Sequence, residues 1–451
     1  MLAGKSLTKK RVPRAGIWGW MLFDWATQPF YTLILTFVFA PYFASTVAPN
    51  AVAGQALWGQ AAGVAGFIIA LMAPILGAIA DTTGARKPWI FIFSILYVIG
   101  SFFLWYALPE STALFGILLA LFIGLVGAEF TTVFTNAMMP DLVPRAELGK
   151  LSGTGWALGY VGGLVSLILV LGFMSADAES GKTLLGITPI FGLDPVSHQG
   201  DRASGPLTAI WYILFILPLF FFTPDVPRKA RVKGAVVRGL RELGQTLKTL
   251  PQNSSLFAFL IASMSYRDGL NAIYTFGGIY AAGVLGWSVI QVGTFGIIAA
   301  FTGALGAWFG GHLDVRFGPK PVVSVSIVIL ALATLTIIST GNNEAFFVPV
   351  AQDSSLPDLV FYIAGAIVGA AGGSVQASSR TLLVDQAEKD RMTEAFGLYA
   401  LTGKATSFLG PLGIAWMTSL FNSQRLGVSP VLALLLIGLV LLGFVKKQSL
   451  A

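Results

Sequence analysis

Long apolar runs separated by short polar segments fill the chain. Twelve runs are about as long as the twenty residues that carry a helix across a bilayer: 17–46, 55–80, 88–108, 111–139, 151–174, 205–223, 253–284, 288–313, 319–340, 356–384, 392–420 and 427–446. The pattern predicts an all-α membrane protein with twelve transmembrane helices. The first run is not a signal peptide. It is too long, holds Asp24 in its interior and lacks a small-residue cleavage site. One segment follows a different rule. Between 224 and 252, Val236, Leu240, Leu243, Leu247 and Leu250 recur every three or four positions, with Arg238, Arg241 and Lys248 mostly off that stripe. That pattern predicts an amphipathic helix lying on the membrane surface.

The polar segments repeat. Residues 77–87 read GAIADTTGARK, and residues 310–320 read GGHLDVRFGPK. Gly77 stands four residues before Asp81, as Gly310 does before Asp314; the second copy has one extra residue before its loop glycine. A shift of 243 residues places Asp24, Gln28 and Tyr31 on Arg267, Asn271 and Tyr274, and a shift of 244 places Asp24 on Asp268 and Asp141 on Asp385. The same devices at corresponding points mark an internal duplication. The expected division is a six-helix bundle over 1–223, a cytoplasmic linker over 224–252 and a second, pseudo-symmetric six-helix bundle over 253–451.

Composition agrees with a membrane interior. The chain is 55% hydrophobic and 11% charged over 451 residues, against about 25% charged in soluble proteins. There is no cysteine, which excludes disulfides and thiolate metal sites, and two histidines, His198 and His312, do not form a metal motif. Of 28 Lys and Arg, 23 fall on one side: the amino terminus, the even-to-odd loops, the central linker and the carboxyl tail. Lys182, Arg202 and Arg425 occupy the other side. By the positive-inside rule both termini are expected to be cytoplasmic, in the plasma (inner) membrane if the cell is bacterial, with the first sixteen residues anchored on anionic lipid. The net charge of +7 thus expresses topology, and no nucleic-acid partner is implied.

Five charges lie near mid-depth of apolar runs: Asp24, Glu129, Arg267, Asp268 and Lys404. Asp24 comes ten residues after Arg14, about 15 Å deep at 1.5 Å per residue. Glu129 lies eleven residues before Pro140, about 16 Å deep, and Lys404 thirteen residues past Arg391, about 20 Å along its helix. Charges at such depth need a partner or a wet cavity and mark function. Asp24, Gln28 and Tyr31 share one helix face, as do Glu129, Thr132 and Asn136. Three acids against two bases leave one acid without a basic partner in the set, free to exchange protons. Glu129 is the expected proton site and Lys404 the expected site for a substrate carboxylate. Pro29 is expected to bend the first span. Gly153, Gly155, Gly159, Gly162 and Gly163 are expected to let the fifth span approach its neighbours closely.

Twelve spans, the repeated Gly-x-x-x-Asp turn and the basic central loop resemble the major facilitator superfamily across nearly the whole chain. Asp24-Trp25-Ala26, Ser152-Gly153, Ser379-Arg380 and Gly403-Lys404 with Ser407, Gly410 and Pro411 resemble the branch of bacterial unknown major facilitators and autophagy-related vacuolar amino-acid effluxers. Thr27 and Gln28 depart from the Asn and Ser usual in that branch. The resemblance implies two bundles rocking around a central site. It implies a cytoplasmic gate at Gly77, Asp81, Gly84, Arg86, Lys87, Asp314 and Arg380, where Asp81 caps a helix N-terminus or pairs with Arg86. The implied activity is secondary transport of a small polar or zwitterionic solute, such as an amino acid, with protons and membrane lipids as further partners and no cofactor or metal. Two alternatives stay open: a transporter of apolar or lipidic compounds whose charges form a closed structural cluster, and a receptor or assembly factor that transports nothing. No nucleotide loop, metal motif or nucleophile constellation suggests an enzyme.

Overall fold

The computed structural model describes residues 12–227, 234–287 and 289–446. Lys5, Lys9, Lys10 and Arg11 of the expected lipid anchor lie outside the described residues, as do Arg228, Lys229, Arg231 and Lys233 of the linker. The fold is carried by α1 (Arg14–Pro29), α2 (Ala51–Thr83), α3 (Lys87–Phe103), α4 (Leu114–Leu142), α5 (Leu148–Leu169), α6 (Gln199–Phe222), the linker helix α7 (Ala235–Thr249), α8 (Ser254–Val284), α9 (Val289–Phe317), α10 (Pro319–Ser339), α11 (Leu356–Gln386), α12 (Met392–Ala405), α13 (Leu409–Phe421) and α14 (Ser429–Gly443). A two-stranded hairpin, β1 (Glu344–Ala345) with β2 (Val348–Pro349), follows α10.

Ten helical stretches among the described residues are long and apolar enough to cross a membrane. They match ten of the twelve apolar runs. The other two runs are helical but fall short. Ser263, Ser265, Arg267, Asp268 and Asn271 dilute the apolar character of α8, a continuous helix of 31 residues. The run 392–420 is broken: α12 ends at Ala405, Thr406 leaves helical geometry at φ −121°, and α13 opens at Leu409.

Proline acts at Pro29 by widening the helix. It has no N–H to contribute to the helical ladder. The chain passes directly into a π-helix over Phe30–Phe37, within which the Thr36 hydroxyl donates to the Tyr31 carbonyl at 2.8 Å. A π-helix absorbs such a break without exposing backbone to lipid.

In the first half, α1 packs on α5 and α6, and α3 on α4 and α6; in the second, α9 packs on α11, α10 on α11 and α14, and α8 on α14. The halves meet where α2 crosses α12 and α5 crosses α9. The ends of α6 and α1 are tied by Thr223 donating to the Gly16 carbonyl at 2.8 Å, and the start of α10 to the end of α14 by Lys320. These ends and α7 define a linker side of the molecule. Contacts between the halves concentrate there. A Cβ on Gly77 of α2 would stand 2.5 Å from the Thr393 carbonyl oxygen of α12, so only glycine allows this crossing. Further from the linker side, a Cβ at Gly59, Gly63 or Gly66 of α2, or at Gly293 of α9, would meet no atom within 4 Å.

The linker helix departs from its expected place. Rather than resting only on lipid, α7 is bolted to the mouth of the bundle. Leu243 is buried, Gly239 lies against the backbone of Ala78 and Ile79, and Arg391 donates to the Thr246 hydroxyl at 2.6 Å. Val236, Leu240 and Leu247 of the apolar stripe remain exposed.

Candidate functional site

Arg380 organises the deepest part of the interface. Its side chain is 3% exposed and meets Asp24 at 3.1 Å across the halves. It also donates to the Asn136 side-chain oxygen at 3.0 Å, to the Ser152 hydroxyl at 3.0 Å and to the Ser152 carbonyl at 2.7 Å. The rings of Trp20 and Trp156 flank it at 5.6 and 5.3 Å. A buried guanidinium needs all its donors engaged, and this fork has carboxylate, amide, hydroxyl and carbonyl partners from α1, α4 and α5. The sequence places Arg380 with the gate; the structure makes it the base of Asp24. It is the third base that the count of intramembrane charges left out.

Glu129 and Lys404 form a second bridge between the halves. Lys404 Nζ donates to Glu129 Oε1 at 2.8 Å; the Lys404 side chain is 31% exposed where that of Arg380 is 3%, while Glu129 and Asp24 are alike at 15%. Tyr31 and Thr132 stand beside Glu129. Elsewhere between the halves Gln376 donates to the Tyr160 hydroxyl at 3.0 Å, and Tyr274 reaches Tyr160 and Gly372. Gln28 lies against Gly163 and donates weakly to Thr32 at 3.5 Å. Asn271 is exposed on the face of α8 that carries Tyr274. Tyr160, missed as a site residue, is recoverable in the sequence: a shift of 244 places it on Lys404.

Arg267 and Asp268 do not pair with the other expected charges. The Arg267 guanidinium lies 4.1 Å from the Tyr399 ring centre and donates to the Tyr399 carbonyl at 2.9 Å. Asp268 is 2% exposed, with Thr406 and Arg267 as its polar neighbours and no hydrogen bond of good geometry. The five charges are therefore not one closed cluster.

The residues expected to form a gate meet at the linker side. Gly84, at φ +88°, ends α2 in a conformation that side-chain-bearing residues avoid. Asp81 accepts the backbone N–H of Thr393 at 3.2 Å and of Glu394 at 2.9 Å, the first turn of α12. A carboxylate there meets the positive end of the helix dipole. Arg86 lies 3.9 Å from Asp81, pairs with Asp141 at 2.8 Å and donates to the Thr393 hydroxyl at 3.1 Å. Lys87 donates to the Phe220 carbonyl at 2.9 Å. Arg145 and Asp385 join the halves at 2.8 Å. Asp225, missed from sequence because it sits beside a basic linker, accepts the backbone N–H groups of Arg86 and Lys87 at the start of α3. The second copy of the turn differs. Asp314 is buried near Ser378 and Thr381 without a hydrogen bond of good geometry, so it does not repeat the cap made by Asp81.

Parallel halves, a charged seam and a gate at one mouth define a transporter of the major facilitator fold. The fold of a major facilitator transporter, FucP, in the outward conformation, superposes with a TM-score of 0.72 at 15% identity, covering 96% of this chain and 99% of that one. A family model described as "Vacuole effluxer Atg22 like" matches residues 55–449. The chain belongs to that family. It is 29% identical over 439 residues to the uncharacterized MFS-type transporter YxiO of Bacillus subtilis, covering 95% of this chain and 94% of the relative. It is 22% identical over 287 residues to autophagy-related protein 22 of Coccidioides immitis, covering 61% of this chain and 45% of that protein, so it spans about half the fungal relative's length. The protein is thus an integral membrane transporter.

Proposed function

We propose that the protein is a secondary active transporter that moves a small polar or zwitterionic solute, an amino acid in the best-fitting case, by alternating access coupled to protons. The observation that carries this is the accessible 2.8 Å ion pair of Glu129 and Lys404, which spans the two halves in mid-helix. A solute carboxylate is a chemical match for Glu129 and takes its place on Lys404. Glu129, released from its base at that depth, then takes a proton, because an isolated carboxylate inside a membrane is costly. Tyr31, Tyr160, Tyr274 and Gln376 supply hydrogen-bonding groups for the rest of the solute. In this reading the conformation at hand, joined at the linker side, is the state that accepts solute from the outer side. In this reading the linker side is cytoplasmic, all twelve runs span the membrane, and 1–223 and 253–451 are the bodies that rock.

The test is a thermal-shift screen of zwitterions, anions and neutral solutes on purified protein, since selective binding to the native state raises apparent stability. Carboxylate-bearing solutes should stabilise the wild type. Lys404→Ala should weaken their binding by roughly tenfold to a hundredfold, the worth of a charge-assisted hydrogen bond. Stabilisation by apolar compounds alone would overturn the proposal.

A further inference from the structure

Asp314 is the acid of the second turn, and that copy of the turn lacks the matching base. With 77–87 laid on 310–320, Arg86 falls on Pro319. Asp314 stands one residue past the apolar run 288–313 and is 5% exposed, and no base pairs with it among the described residues. On its own helix, Arg316 lies over the Phe317 ring and His312 is exposed against the Trp308 carbonyl; Lys320, at the start of α10, turns to the Gly443 carbonyl of α14. From α11 come the hydroxyls of Ser378 and Thr381, both buried, and the Asp385 carboxylate, which carries Arg145 at 2.8 Å. The remaining side is closed by Gly149 of α5, whose charged neighbours Glu147 and Lys150 are exposed.

That last contact joins the halves. A Cβ on Gly149 would overlap the Asp314 side chain and stand 2.7 Å from the Gly311 carbonyl oxygen, and Gly153 packs as tightly on Ala307. Asp314 is thus covered by the other half of the chain, and moving α5 off α9 uncovers it. The contact sets which form of the acid is favoured. While α5 is in place, a charge on Asp314 would have neither base nor water, with a second carboxylate on α11 nearby, so the neutral form is favoured. The neutral acid can donate to the Ser378 or Thr381 oxygen. When α5 leaves, water reaches the carboxyl and the ionised form becomes the ordinary one.

We propose that Asp314 is a proton site of the linker-side mouth, protonated while α5 covers it and ionised when α5 and α9 part, so that each closure there takes up one proton from the adjoining solution. The sign follows from linkage: the joined state binds the extra proton, so acid favours it and alkali favours the parted state. The inference rests on the reading that the halves rock. It uses neither the solute nor the Glu129–Lys404 pair, and a proton bound here biases the mouth whatever solute is carried.

The experiment uses purified full-length protein without solute, in a Glu129→Gln background that removes the other proposed proton site. Spin labels on the linker-side ends of α5 and α9 report distance across a pH series, and infrared difference spectra report the C=O stretch of protonated carboxyl groups. Short distances should gain population as pH falls, with the slope of a single proton. Asp314→Asn, which has the shape of the neutral acid, should hold the short distance at every pH and remove one carboxyl from the infrared band. Thr381→Val removes a hydroxyl that can donate to the carboxylate and should move the midpoint to higher pH; it keeps the test open should the asparagine variant not fold. A pH profile unchanged by both substitutions, a distance distribution indifferent to pH, or an infrared band that Asp314→Asn leaves intact would each overturn the site. Failure of the Glu129–Lys404 reading would show instead in flux and solute binding, which this experiment does not touch.

Discussion

Two ion pairs join the halves in different settings. In Asp24–Arg380 the base is 3% exposed and shares its donors among four acceptors, whereas in Glu129–Lys404 the base is 31% exposed. Removing one member of a buried pair leaves the other charge without its partner, at a cost of about 3–5 kcal/mol. Arg380→Met should therefore lower the melting temperature of the purified protein sharply, and adding Asp24→Asn should restore part of the loss. A double variant no more stable than Arg380→Met alone would show that Asp24 is not the group left stranded. Intramembrane acids were legible in the sequence because carboxylates are so costly in apolar runs. Their partners were not, since Arg380 lies 356 positions from Asp24 and Lys404 lies 275 from Glu129.

Helix existence was legible from the length of each apolar run, and helix irregularity was not. Pro29 announced a bend, but only the fold shows that the chain answers with a π-helix over Phe30–Phe37. Nothing in the residues 392–420 announced the break at Thr406, where Gly403 and Pro411 flank a stretch of ordinary helix formers. The close crossing of α2 and α12 was foreshadowed by Gly77 in the repeated turn, yet its contact with the Thr393 carbonyl needs the other half of the chain. Gly77→Val should force α2 and α12 apart. Distances between spin labels on the linker-side ends of these helices should lengthen by several ångströms, the scale of a side chain inserted between backbones. An unchanged distribution would mean that the crossing relaxes elsewhere.

The duplicated architecture was readable as a whole because both halves keep the same turn, the same acid in the first span and the same basic loops. Its asymmetry was not readable. Asp81 caps α12, whereas Asp314 caps nothing among the described residues. Asp81→Asn keeps the size of the side chain and removes its charge from the helix dipole. It should shift the population toward the state open at the linker side while leaving solute binding intact. The same pair of spin labels reads this shift, and a distance distribution identical to wild type in a well-folded variant would refute the latch. The linker helix adds a further restraint at the same mouth, through Leu243, Gly239 and Thr246.

The coupling of solute to proton through Glu129 and Lys404 is tested most directly by flux in proteoliposomes. Glu129→Gln preserves shape and removes the proton site. The account predicts that this variant loses uptake driven by a pH gradient but still exchanges labelled for unlabelled solute across the bilayer. Normal pH-driven uptake by Glu129→Gln would contradict it.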